Sequence, residues 1–308
     1  MVSLHNIDIA VIIISYSDKK KMQYVSSRIN HILKNYIDIS YQVLGNKTID
    51  FSKMAKYTKK ICFGFGYNQP IKGLPRSVES IHFGYDFNQM IYEYPSSLKY
   101  LYFDVSYNMP TINLPKCLKK IKFGHKFNQY VEIWPEDIEE IIFGFDHNQP
   151  IDNLPNKLKK LTLGFSFNKK VNRFPEGLKE LALGENFCDE ITSFPPSLKV
   201  LDMECCWDYN HNLNNLPSSL RELILCPEYS LYDVLPHGLV YLYNLNLCTR
   251  NVIDNLPKSL ISVTYTRKVL REKILKVLPN AIVEYSYEHS EVDDDDDYAD
   301  MMHDIYDS

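Results

Sequence analysis

Proline acts as a ruler in this chain: Pro75, Pro95, Pro115, Pro135, Pro155, Pro175 and Pro195 lie twenty residues apart. A fixed period of that size marks a repeat architecture, in which each unit buries its apolar face only by stacking on its neighbour. Downstream the spacing loosens through Pro217, Pro236, Pro257 and Pro279, and upstream Ala55 stands in the proline column. The array is thus expected to be regular in its middle and irregular at its ends. A length of 308 residues then need not divide into two globular cores, because stacked units grow without enlarging a core.

Three residues after each proline comes an aliphatic column, including Val78, Leu98, Leu118, Ile138 and Leu158. A second column stands three residues further on, with Ile81, Leu101, Ile121, Ile141 and Leu161. Two more residues bring a third, which runs from Phe83, Phe103, Phe123 and Phe143 to Met203, Leu225, Asn244 and Tyr265. Alternate burial over this stretch predicts a short strand. Such a strand is unstable alone, and a connection returning in the same sense allows only parallel pairing with the next copy. The expected fold is a repeat solenoid with one short parallel strand per turn and an irregular or 3₁₀ convex side, since Pro and Gly leave no room for a long helix there.

Gly84, Gly124, Gly144, Gly164 and Gly184 follow the third column, where a side chain is expected to crowd the bend. An aromatic then points back to the core at Tyr67, Phe87, Tyr107, Phe127, Phe167 and Phe187. Beside it recur Asn68, Asn88, Asn108, Asn128, Asn148 and Asn168, often followed by Gln. Polar residues at such depth call for a ladder, each amide serving loop backbone of its own and adjacent turns.

The unit written by Leu154-Pro155, Leu158, Leu161, Leu163, Gly164, Phe167 and Asn168 resembles the FNIP repeat, a variant of the leucine-rich repeat abundant in amoebae and in the giant DNA viruses that infect them. The resemblance implies a leucine-rich-repeat-like solenoid used to bind proteins. It covers residues 51–266.

Residues 1–50 hold Ser17-Asp18, a candidate cap, then Met22, Val25, Ile29, Ile32 and Leu33 on one helical face. Ile7, Ile9, Val11 and Ile13 suit either a strand or a buried helix. One reading makes this small, partly helical region a cover over the first turn. The other rests on a resemblance to the F-box, carried by Ile12-Ile13-Ile14-Ser15-Tyr16 and Val25-Ser26-Ser27, with Leu4-His5 where that motif opens on Leu-Pro. The resemblance implies docking to a Skp1-type adaptor of a cullin ubiquitin ligase through Ile12, Ile13, Met22, Val25 and Ile29.

At the other end, residues 267–288 read as a capping helix with Val269, Leu270, Ile274, Val277 and Leu278 on one face, then a strand at Ile282-Val283-Glu284-Tyr285. Residues 289–308, with Asp293 to Asp297, read as a disordered acidic tail. That run lacks the spaced ligands and turn glycine of a calcium loop.

No HExxH or nucleophile elbow accompanies the nine histidines, and seven scattered cysteines form no CxxC pair. The chain is therefore read as a non-enzyme with no cofactor or metal, and its cysteines as reduced thiols. A net charge of −5 argues against a nucleic-acid surface. The apolar run at Ile9 to Ile14 is too short for a membrane span. These features favour a cytoplasmic or nuclear monomer, in which the sequon Asn46-Lys47-Thr48 is idle.

Partner binding is expected on the concave inner face, where strand positions pointing away from the core vary between copies. One such column is Ser80, Tyr100, Lys120, Glu140, Lys160 and Glu180; the next is His82, Tyr102, Lys122, Ile142 and Thr162. Lys59, Lys99, Lys119, Lys159, Lys179, Lys199 and Arg221 form a neighbouring stripe that Glu79 and Glu139 interrupt, read as a solvated face.

Overall fold

The computed structural model describes residues 12–13, 39–51, 54, 58–231, 234–246, 250–268 and 270–286. Fourteen strands form one sheet in sequence order: β1 (Ile12–Ile13), β2 (Ile39–Val43), β3 (Thr58–Phe63), β4 (Ser80–Phe83), β5 (Tyr100–Phe103), β6 (Lys120–Lys122), β7 (Glu140–Ile142), β8 (Lys160–Thr162), β9 (Glu180–Ala182), β10 (Val200–Asp202), β11 (Glu222–Ile224), β12 (Tyr241–Leu245), β13 (Ser262–Tyr265) and β14 (Ile282–Tyr285). Every pairing is parallel. Through the regular part the register advances one repeat per strand, with Ile81 opposite Leu101, then Ile121, Ile141 and Leu161. The solenoid expected from the period is present.

The three columns are the core. Leu98, Leu118 and Leu158 have no exposed surface, nor do Leu101, Ile121 and Ile141. Thr58 takes the first column in the coil that precedes Val78 and is equally buried. The third column packs on the inward aromatics of the same coil, with ring centroids 4.0 Å apart for Phe83 and Phe87, 3.7 Å for Phe103 and Tyr107, and 3.8 Å for Phe123 and Phe127. Rings of successive coils then lie about 6 Å apart, so the aromatic column is continuous. His147 fills the place between Phe127 and Phe167 that no aromatic holds.

Each proline opens a turn: the carbonyls of Pro75, Pro95, Pro115 and Pro155 accept the amides of Val78, Leu98, Leu118 and Leu158 at 3.0–3.2 Å. Proline thus needs no donor and leads the chain into the first column. The remaining convex arcs are turns and irregular backbone, with no helix between β3 and β12 among the described residues. Among the described residues, helices α1 (Arg250–Asp254) and α2 (Leu270–Val277) lie in the last two connections. Leu270 and Ile274 of α2 and the following Leu278 are buried. The expected carboxy-terminal helix therefore forms the arc ahead of β14, and β14 continues the sheet; Val269 and residues 287–308 lie outside the described residues.

Three expectations need correction. Asn244 does not stand in the third column: it adopts a φ of 60°, the register shifts between Leu242 and Leu245, and Leu245 pairs with Tyr265 instead. Asn tolerates that left-handed conformation, and its side chain donates to the Leu225 carbonyl at 3.2 Å. Second, the glycine column does open the turn off the strand, Gly84, Gly124, Gly164 and Gly184 accepting from Phe87, Phe127, Phe167 and Phe187, but what a side chain there would crowd is the preceding coil. A Cβ on Gly124, Gly144, Gly164 or Gly184 would lie 1.6–1.9 Å from the carbonyl oxygen of the preceding coil, so glycine permits close stacking of coils. Third, β2 and Asn46 carry the repeat geometry upstream of residue 51.

Candidate functional site: the open face of the sheet

Strand alternation sends one set of side chains into the core and leaves the other on the open face. Ser80 and His82 on β4, Tyr100 and Tyr102 on β5, Lys120 and Lys122 on β6, Glu140 and Ile142 on β7, Lys160 and Thr162 on β8, and Glu180 on β9 all occupy that face. Register puts them in two straight rows, Ser80 to Glu180 in one and His82 to Thr162 in the other. Tyr100 is 41% exposed, and His82 is exposed as well.

Several of these residues are partners. Lys120 Nζ lies 3.0 Å from Glu140 Oε1 and 5.8 Å from the centre of the Tyr102 ring. Lys160 bonds Glu180 at 2.7 Å, which holds its pKa above the usual lysine value. The His82 ring tilts against Tyr102 at 5.8 Å. Burial first, then the negative charge of Glu140, raises the Tyr102 hydroxyl above its usual value. The face is a lattice of aromatic and charged groups held by cross-strand contacts.

The bordering lysine stripe is organised by its two interruptions. Glu79 bonds Lys59 and, at 2.7 Å, Lys99; Glu139 bonds Lys159 and, at 3.4 Å, Lys119. Hydrogen bonds from these lysines are the main cause holding both carboxyls below the usual glutamate range. Such exposed pairs add little to stability, because water and salt screen them. Each glutamate is shared by two lysines, so the stripe along β3–β8 keeps half of its positive charge.

One row escaped sequence reasoning. Directly after the glycine column, Phe65 stacks on Tyr85 at 4.6 Å and Phe145 on Phe165 at 4.1 Å, with Phe65 69% exposed. Its signal was present as aromatics at the repeat period beside Gly64, Gly84, Gly144 and Gly164. The asparagine ladder runs nearby. Asn88 N donates to Asn68 Oδ1 at 2.9 Å, and the bond repeats through Asn108, Asn128, Asn148 and Asn168. Asn46, read as an idle sequon, heads this ladder by accepting from Asn68 N and Gln69 Nε2, both at 2.9 Å.

Of the adaptor-docking set, Ile12 and Ile13 form β1, opposite Tyr41 and Gln42 of β2. Met22, Val25 and Ile29 lie outside the described residues. Cys62, Cys117, Cys188, Cys205, Cys206 and Cys226 are free thiols. Among the described residues no group of three or more His, Cys, Asp or Glu is placed to hold a metal, and no helix is long and apolar enough to cross a membrane.

The FNIP Repeat family model matches residues 67–103 and 127–166. No curated protein sequence matches the chain. Among solved structures, that of CroV588, a novel circular LRR protein, is 28% identical with a TM-score of 0.65, over 82% of this chain and 43% of that one. YopM from Yersinia enterocolitica WA-314 is 19% identical with a TM-score of 0.48, over 74% of this chain and 54% of that one. This chain thus spans about half the length of either protein. Matched motif and observed fold agree: residues 67–103 and 127–166 match the FNIP Repeat, and they lie in a leucine-rich-repeat-like parallel solenoid.

Proposed function

We propose that this chain is a non-enzymatic protein-binding scaffold whose partner lies on the open face of the sheet, across β4–β9. The supporting observation is the pair of straight rows in which side-chain identity changes from strand to strand while backbone position does not. A rigid lattice of this kind presents recognition groups at little entropic cost on binding. Tyr100, Tyr102 and Lys120 stand together on it, and tyrosine is a residue type that anchors protein interfaces. Replacing all three with Ala is expected to abolish capture of the cellular partner while leaving the circular dichroism spectrum unchanged; undiminished capture would move the interface elsewhere.

Within that reading the chain is a cytoplasmic or nuclear substrate receptor of a Skp1-cullin-F-box ubiquitin ligase, its amino-terminal region docking the adaptor. The F-box resemblance around Ile12 to Leu33 supports this. Removing residues 1–50 is a poor test, because it also removes β2 and uncovers β3. Met22, Val25 and Ile29 replaced together by Asp, compared with the unaltered chain in an adaptor pull-down, is the cleaner one. Recovery by the unaltered chain alone supports the ligase reading. No recovery by either leaves a structural or decoy binder, the second reading, in which residues 1–50 only cover the solenoid.

A further inference from the structure

The two open-face rows are not uniform in charge. Across β3–β8 they carry Lys60, Lys120, Lys122 and Lys160 against the single carboxylate of Glu140. Across β9–β14 the same rows carry Glu180, Asp202, Glu222 and Glu284 and no Lys or Arg at all. The sheet face therefore changes sign along the solenoid axis, between β8 and β9.

Glu180 is paired with Lys160 of β8, whereas Asp202 and Glu222 have no salt-bridge partner among the described residues. Lys179, Lys199 and Arg221 border it, yet Arg221 turns its guanidinium to the backbone carbonyls of Ser218 and Leu220 at 2.8–2.9 Å. Glu222 is held above the usual glutamate range by burial, then by Asp202 and Glu180, with no lysine or arginine opposing them. Burial likewise raises Asp202, whose carboxylate accepts from the Glu204 amide at 3.0 Å. Tyr241 stands opposite Glu222 in the next strand, with Tyr243 on the same face, their rings 6.4 Å apart and 13° from parallel. Carboxylates beside tyrosine faces suit lysine or arginine side chains.

Building on the open-face reading, we propose that the partner segment is an extended, two-signed peptide running along the solenoid axis. Its acidic part lies over β3–β8 and its Lys- or Arg-bearing part over β10–β12. Strands about 4.8 Å apart put β6, which carries Lys120 and Lys122, about 20 Å from β10, which carries Asp202. An extended peptide covers that distance in about six residues.

The test uses the full chain and two fluorescein-labelled peptides of identical composition. One has four glutamates, a Gly-Ser pair and four lysines, with block centres about 20 Å apart when extended; the other alternates glutamate and lysine. At low ionic strength the block peptide is expected to bind at least about tenfold more tightly by fluorescence anisotropy, and the preference should fade as salt screens it. Asp202→Asn with Glu222→Gln, or Lys120→Gln with Lys122→Gln, should each bring the block peptide down to the alternating one. These substitutions are near-isosteric or on the solvated face, and circular dichroism reports any loss of fold. Equal binding of the two peptides, or a preference that survives both double substitutions, overturns the proposal. Either result leaves the open-face reading to the separate Tyr100, Tyr102 and Lys120 experiment.

Discussion

The imidazole of His147 lies parallel to the ring of Phe143, centroid to centroid 3.8 Å and 2° between planes. It is 1% exposed, and neither ring nitrogen has a hydrogen-bond partner of good geometry. Phe127 and Phe167 stack above and below it at 5.8 and 6.3 Å. Histidine here is a replacement for phenylalanine, planar enough to continue the column and polar at a cost. Burial dominates and pushes its pKa from 6.5 down to about 3, the Phe127 backbone acting weakly the other way.

Stability should therefore fall with acid in a definite window. Above about pH 6.5 the ring is neutral in both states and costs nothing through protonation. Below that the unfolded chain takes up the proton while the folded chain resists until about pH 3, so stability drains by up to about 1.4 kcal/mol per pH unit. His147→Phe removes the window and restores the ring column. Urea denaturation of the two proteins at a series of pH values should give a gap that widens from pH 7 to pH 4; a constant gap would mean that His147 is hydrated in the folded protein.

Gly144 and Gly66 make opposite predictions for the same change. At Gly144 an added Cβ would stand 1.9 Å from the Gly124 carbonyl oxygen, so two coils must separate. At Gly66 the nearest atom is 4.0 Å away, and its φ lies outside the left-handed range. Gly144→Ala is expected to cost about 1–3 kcal/mol or more through overpacking. Gly66→Ala is expected to be neutral or to stabilise by up to about 1 kcal/mol, since alanine restricts the unfolded chain. Equal midpoints for the two variants in thermal denaturation would refute the close-stacking account of the column.

The parts of this fold that repeat were legible in the sequence, because a column read ten times averages away local accidents. The strands, the buried columns and the asparagine ladder all follow from period and alternation. Where a position departs from its column, legibility fails for identifiable reasons. Asn244 sits at the third-column spacing, and only the backbone shows the bulge that hands its place to Leu245. The β2 coil has no proline to mark it, and two extra residues separate its Asn46 from the ladder spacing that follows. Helix α1 is five residues long, too short for an apolar period to emerge. The open-face residues were placed correctly on their strands, but their pairing was not foreseen: Lys120 with Glu140 and Lys160 with Glu180 are twenty apart in sequence and adjacent only through register.

The asparagine ladder offers an internal comparison, since Asn108 and Asn88 bear different loads. Asn108 Oδ1 accepts from Asn128 N at 2.9 Å and from Gln129 Nε2 at 3.0 Å. Asn88 Oδ1 accepts from Asn108 N at 3.0 Å, and the position that would supply a second donor is Met109. Asn108→Ala leaves two donors without their acceptor in a part-buried loop; Asn88→Ala leaves one. Each orphaned donor costs about 1–3 kcal/mol when water cannot reach it, so Asn108→Ala should be the more destabilising of the pair. Asn108→Asp keeps an acceptor at the same place and should recover most of the loss at neutral pH. Because each coil touches only its neighbours, amide hydrogen exchange in Asn108→Ala should quicken first at Asn128 and in the adjoining coils, before β9–β11. Uniform acceleration along the whole sheet would show instead that the solenoid opens as one cooperative unit.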